Sequence, residues 1–153
     1  MTVKSRLLEL LEQHKGETLS GEDIGRELSC TRAAVWKAVN SLRQEGYPIE
    51  AGPNKGYMLA RESNLISAEG IRLFLKDPQV EIKIFDAISS TNLEARQLAV
   101  SGMAGHGSFV VAMEQTAGRG RRGREFYSPK GNGIYLSVIL EPKGTLEGSL
   151  LIT

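Results

Sequence analysis

Residues 29–59, SCTRAAVWKAVNSLRQEGYPIEAGPNKGYML, decide how the first part of this chain folds. Thr31 is a good N-cap for a helix whose apolar residues Ala34, Val35, Ala38, Val39 and Leu42 recur at helical spacing and form one continuous stripe. Arg32, Ala33, Trp36, Lys37, Asn40, Arg43 and Gln44 lie on the opposite side, and Gly46 stops the helix as a C′ residue. Pro48 to Leu59 then read as a β-hairpin turning at Pro53-Asn54-Lys55-Gly56. Upstream, Val3, Leu7, Leu10 and Leu11 predict a first helix from Val3 to about His14, ended by Gly16. Ser20-Gly21-Glu22-Asp23 fits a capping box opening a second helix, with Ile24 and Leu28 turned inward. Three short helices followed by a hairpin make the winged helix-turn-helix pattern, assigned to residues 1–63.

In that pattern the third helix is the recognition helix. It presents Arg32, Trp36, Lys37, Asn40 and Arg43 to a major groove, and Lys55 on the wing reaches a phosphate. The bland alternative is a solvated helix, because residues 1–62 carry nine basic and nine acidic side chains. The acids, however, include Glu9, Glu12, Glu22, Asp23 and Glu27 on the first two helices, whereas the third has only Arg32, Lys37 and Arg43 up to Gln44. That segregation favours DNA. Trp36 stays open between packing on the wing and touching DNA.

A second stretch carries different chemistry. Residues 114–129, EQTAGRGRRGREFYSP, place Arg119, Arg121, Arg122 and Arg124 within six residues, spaced by Gly118, Gly120 and Gly123. So basic and glycine-rich a run is expected to be a mobile loop that orders around an anionic small molecule, because guanidinium forks suit carboxylate and phosphate. Its glycines satisfy G-x-G-x-x-G, but Arg124 to Pro129 is a poor helix start, so a dinucleotide fingerprint fails. No Gly-Lys-Ser/Thr follows, so a Walker loop fails too. An RNA-binding arginine-glycine tract is disfavoured: the tract occurs once and lies between the apolar runs FVVAM and GIYLSVIL.

Composition describes a globular chain, with 41% hydrophobic and 24% charged residues. Net charge is +1, so any basic site must come from local segregation. The single cysteine, Cys30, excludes an internal disulfide; it fits a reducing cytoplasm and a small half-buried role. No apolar run approaches the roughly 20 residues that span a bilayer.

Residues 64–78 read as a connecting segment, with Ser67 capping one helix that carries Ile71, Leu73, Phe74 and Leu75 before Pro78. In 79–153, Val80, Ile82 and Ile84 alternate with Glu81, Lys83 and Phe85, predicting a strand with one wholly buried face. Ser89-Ser90-Thr91-Asn92 turns into a helix packed by Ala95, Leu98 and Ala99, with Thr91 to Glu94 as a second capping box. Ser108–Met113 and Gly133–Leu140 are strands on either side of the arginine stretch, and another helix begins near Thr145. The fold class is α+β.

The string GRGRRGR, preceded by Glu114-Gln115 and followed by Ser128-Pro129 and Gly133-Ile134-Tyr135-Leu136-Ser137, resembles the signature of the biotin–protein ligases. Ser89-Ser90-Thr91-Asn92 resembles the same family's Ser-Thr-Asn element, in the family's order and with similar spacing. Residues 29–59 resemble the DNA-binding module of its repressor branch. The resemblance implies a winged helix-turn-helix domain followed by the first half of a mixed α/β, class II synthetase-like ligase domain. It implies a biotin–[acetyl-CoA-carboxylase] ligase that makes biotinoyl-5′-AMP from biotin and ATP with Mg²⁺. A lysine of a biotin carboxyl carrier protein accepts the biotin, and the adenylate-bound homodimer binds operator DNA. A regulator that only senses biotin or the adenylate is the alternative.

By resemblance, Ser90, Thr91, Asn92, Gln115, Arg119, Gly120 and Arg121 bind biotin. Arg119, Arg121, Arg122, Arg124 and Phe126 bind the adenylate and phosphates, with Phe126 open between stacking on adenine and packing. For Ser90 and Thr91 the alternative is helix capping alone. The family's catalytic lysine lies well downstream, so no catalytic residue and no metal ligand is assigned here. Residues 1–153 alone are expected to be inactive in adenylation.

Overall fold

The computed structural model describes residues 2–52, 56–77 and 79–141. The wing turn with Lys55, Pro78 and the helix expected from Thr145 lie outside the described residues. The chain divides into two compact units, Met1–Pro78 and Gln79–Thr153.

The first unit runs α1 (Val3–Gln13), α2 (Gly21–Glu27), α3 (Arg32–Gln44), β1 (Ile49–Gly52), β2 (Gly56–Leu59) and α4 (Ala68–Arg72). Each helix starts on a hydroxyl. Thr2, Ser20, Thr31 and Ser67 accept the amides of Ser5, Asp23, Ala34 and Gly70, satisfying donors that the helices leave unpaired. Leu7, Leu11, Ile24, Val35, Val39, Leu42 and Leu59 are fully buried together, and Cys30 packs half-buried against them. Of the α3 stripe, Ala34 is only half-buried. β1 and β2 pair antiparallel from Ile49↔Leu59 to Gly52↔Gly56. At Gly56, φ is +83° and a Cβ would lie 2.1 Å from the Leu19 carbonyl oxygen, so only glycine fits where the wing meets the loop before α2.

The connecting helix is shorter than its sequence suggests. α4 ends at Arg72, none of its residues is buried, and Phe74 is 89% exposed. Polar bonds to α1 hold it instead: the Ser67 hydroxyl donates to Glu12 Oε1 (2.9 Å) and the Ser5 hydroxyl to Glu69 Oε1 (2.5 Å). Burial first, then the carboxylates of Glu69, Glu12 and Glu45, push the Tyr47 phenol above its ordinary pKa of 10.0. A raised folded-state pKa favours the native state below pH 10 and loses that contribution as pH rises through the folded value. Urea denaturation at pH 9 and 11 is therefore expected to show a larger alkaline loss for wild type than for Tyr47→Phe.

The second unit runs β3 (Ile82–Phe85), α5 (Thr91–Val100), β4 (Phe109–Ala112) and β5 (Tyr135–Val138), in sheet order β3-β4-β5. β3 and β4 are parallel, so the chain must cross over between them, and α5 is that crossover. β5 returns antiparallel to β4, with Val111 opposite Leu136. Ala95 and Leu98 of α5 pack with Val110, Ile139, Ala104 and Phe85.

The β3 expectation needs correction. Of its supposed buried face only Ile82 is buried, while Val80 and Ile84 are half-buried. Phe85, on the other face, packs against the α5 core, because the helix covers that side. On β5 and its flanks, Ile134, Leu136, Val138 and Leu140 are exposed as one alternating row. Among the described residues no helix is long and apolar enough to cross a membrane.

Candidate functional site

The arginine stretch, read from the sequence as a mobile loop that orders around an anion, forms a hairpin. Its base is tied in parallel to the turn before α5: the Thr116 amide donates to Ile88 O and that of Ala117 to Ser89 O, both at 2.9 Å. Its two arms then pair antiparallel. The amides of Gln115, Phe126 and Gly120 donate to the carbonyls of Ser128 (3.0 Å), Gly118 (2.9 Å) and Arg124 (2.7 Å), and Arg119 bridges Glu125. A 3-10 turn at Arg121–Gly123 closes the tip, with Arg122 at φ +60°. At Gly118 a Cβ would meet Phe126 O at 2.6 Å and Ser128 Oγ at 2.7 Å. Gly118 serves close approach of the two arms, not freedom.

Beneath the hairpin runs a hydrogen-bonded chain. Ser137 donates to Thr91 Oγ1 (2.9 Å), and the Thr91 hydroxyl donates to Gln115 Oε1 (3.1 Å), which also accepts the Thr91 amide (2.9 Å). Gln115 Nε2 donates to Ser128 Oγ (3.1 Å), whose hydroxyl donates to Phe126 O (3.1 Å). Thr91 and Ser128 are buried, so these bonds form in a low dielectric and reinforce one another. They join β5, α5 and both arms of the hairpin. The capping box expected at Thr91–Glu94 is absent. Ser90 is the N-cap with no side-chain cap bond, and Thr91, the first helical residue, gives its amide to Gln115 instead. Capping alone therefore does not account for either hydroxyl. Gln115 retains one amide hydrogen beyond this chain.

Three adjoining depressions surround the hairpin. A cleft of about 390 Å³ lies between it and the start of α5, lined by Ser90, Asn92, Leu93, Arg96, Arg119 and Gly120. A second runs along the arms by Gln115, Arg119, Phe126 and Ser128, and a third gathers Arg121, Arg122, Arg124 and Phe126 at the tip. The structure thus brings Ser90, Asn92, Arg119 and Gly120 to one cleft and the other arginines to the tip, while Thr91 is turned into the buried chain. Phe126 is exposed between two depressions. Among the described residues none of the four guanidiniums enters an ion pair, although Glu125 is a neighbour in sequence. The described residues also bring no three His, Cys, Asp or Glu side chains together as a metal cage.

In the first unit, α3 carries Arg32, Lys37 and Arg43 exposed and Asn40 half-buried. Trp36 is 61% exposed and borders a cleft of about 600 Å³ with Ala51, Gly52, Gly56 and Tyr57 of the wing. Two of the basic groups are partly engaged. Arg43 Nε donates to the Ile49 carbonyl (2.8 Å), fastening α3 to the wing, and Arg32 lies 3.8 Å from Glu22. That exposed pair is weak enough to exchange for a phosphate. The HTH pairing itself depends on Gly25, where a Cβ would lie 3.0 Å from the Cys30 carbonyl oxygen at the turn into α3.

The order of these two units has counterparts among known proteins. An HTH domain family matches residues 3–58, and the Biotin/lipoate A/B protein ligase family matches residues 84–152. The bifunctional ligase/repressor BirA of Bacillus spizizenii is 42% identical over 99% of this chain and 47% of its own length. The second unit is similar to the biotin/lipoate ligases, and the whole chain to the first half of a ligase/repressor.

The E. coli BirA, a bifunctional ligase/repressor, is 38% identical over 90% of this chain and 41% of its own length. A crystal structure of the Leishmania major biotin protein ligase in complex with biotinyl-5-AMP is 42% identical over 37% of this chain and 22% of that one, with a TM-score of 0.30. The chain spans about half the length of the curated relatives it matches. The sequence alone did not single out Ser128 and Ser137 of the buried chain, or Arg96 in the α5 cleft. Ser137 carried a signal: it is the polar residue on the face of β5 opposite Leu136 and Val138.

Proposed function

We propose that the full-length protein activates biotin with ATP, transfers it to a carrier protein, and represses transcription of biotin genes. A biotin carboxylate oxygen attacks the α-phosphorus of ATP, the bond to the bridging oxygen of the β-phosphate breaks, and pyrophosphate leaves. A neutral lysine amine of a biotin carboxyl carrier protein then attacks the acyl carbon, AMP leaves, and the amine's proton passes to solvent. The first step must bring two anions together. Pre-positioned guanidiniums that screen and orient them supply the main stabilisation such chemistry needs.

The observation that carries this reading is a hairpin whose four guanidiniums enter no ion pair among the described residues, fastened beside the start of α5. Arg119 with Gly120, Ser90 and Asn92 faces the biotin carboxylate. Arg121, Arg122 and Arg124 face the phosphates, and Phe126 the adenine. Thr91 and Gln115 hold the two walls together and leave one amide hydrogen for ligand. Mg²⁺ bound with the nucleotide neutralises phosphate charge; phosphate oxygens and water are its natural ligands, since the described residues build no cage for it.

Relatives named ligase/repressor over nearly the whole chain support the second role. In it the adenylate-bound protein dimerises in the cytoplasm and α3, with Arg32, Trp36, Lys37, Asn40 and the free edge of Arg43, reads an operator, Lys55 adding a phosphate contact. Calorimetry of the full-length protein with biotin and ATP tests the site. Arg119→Ala is expected to weaken binding about thirtyfold, the effect of removing a hydrogen bond to a charged group. Unaltered affinity for both ligands would overturn the assignment.

A further inference from the structure

α5 carries one cation that nothing above employs. Arg96 lies four residues after Asn92 and three after Leu93, on the same face of the helix, and all three line the cleft shared with Arg119. It is exposed and enters no ion pair among the described residues. The acid of α5, Glu94, stands two positions away, where helical geometry turns it elsewhere. Arg96 adds a second guanidinium to the cleft that already holds Arg119. Among the described residues no acidic side chain lines that cleft. Two arginines and the first turn of α5 converge on a space to which the described residues bring no counter-ion.

The geometry points to Arg96 as a further anion-binding residue of the activation step, holding phosphate oxygens of ATP and then of the departing pyrophosphate. This rests on the ligase reading above. The shared chemistry is an anionic oxygen cluster, which biotin's carboxylate could also supply. A lone carboxylate is matched by one guanidinium fork, whereas a triphosphate offers oxygens for several, so the second arginine is assigned to phosphate.

Steady-state kinetics of the full-length protein separate the sources. Arg96→Ala is expected to raise KM for ATP about tenfold, as loss of one charge-assisted hydrogen bond would. KM for biotin should stay within about twofold, and pyrophosphate should inhibit about tenfold more weakly. Arg96→Lys should recover part of the loss, and because Arg96 enters no ion pair among the described residues and adds to the charge beside Arg119, the thermal midpoint of Arg96→Ala should not fall. A rise in KM for biotin with that for ATP unchanged would overturn the phosphate assignment. An Arg96→Ala protein indistinguishable from wild type in all three constants would overturn the inference and leave the ligase reading standing. Wild-type protein with no turnover dependent on biotin and ATP would instead overturn that reading.

Discussion

Gly118→Ala is expected to lower the affinity of the full-length protein for biotin and ATP about a hundredfold, the scale of effect when binding groups are displaced by an ångström. The added methyl would stand 2.6 Å from the Phe126 carbonyl oxygen and 2.7 Å from Ser128 Oγ, well inside contact distance. Neither neighbour is the free end of a flexible side chain. One is backbone, and the other is held by Gln115 and Phe126. The arms must therefore part, and the bond from the Phe126 amide to Gly118 O is the first to go. Arg119 and Arg121 follow directly on the arm that moves. Gly133→Ala is the control, because it lies outside the assigned site and its Cβ would meet nothing closer than 3.9 Å. Calorimetry on both variants checks the contrast. Wild-type affinity in Gly118→Ala would show that the hairpin does not need this close approach.

The largest loss of stability is expected from Gln115→Leu, about 2–4 kcal/mol from stranding buried polar groups. Leucine has similar bulk but no amide. The Thr91 amide and hydroxyl lose their shared acceptor, and Ser128 Oγ loses its donor, in a place where Thr91 and Ser128 are buried from water. Gln115→Glu should cost less, since a carboxylate still accepts both Thr91 donors and fails only toward Ser128. Urea denaturation followed by a probe in the second unit measures the difference. Equal midpoints for wild type and Gln115→Leu would mean that the chain from Ser137 to Phe126 contributes nothing net.

Legibility in the sequence followed the range of the forces involved. Thr31, Ser20 and Ser67 cap their helices as read, because a cap is settled within four residues. Thr91 has the same local pattern but does not cap, because Gln115, 24 positions later, offers its amide a better acceptor. Arg43 was read as a free cation from its place on α3, yet its Nε belongs to the Ile49 carbonyl, which only the turn back into β1 brings near. Arg96 was passed over because a single basic residue on an amphipathic helix is ordinary until the hairpin is set beside it.

Spacing and residue type alone determined the three helices and wing, the strand–helix–strand order, and the clustering of four arginines in one short stretch. Periodicity, caps and glycines act over a few residues, and charge at neutral pH needs no fold. Tertiary structure decided what those arginines stand on. The arms of the hairpin close only because Gly118 admits a carbonyl and Ser128 from the opposite arm. Their place beside α5 depends on amide bonds from Thr116 and Ala117 to Ile88 and Ser89, and on a buried chain of hydroxyls and one amide linking Ser137 to Phe126. Hydrogen bonds have direction and reach of about 3 Å, so they are defined only once the sheet has brought distant residues together.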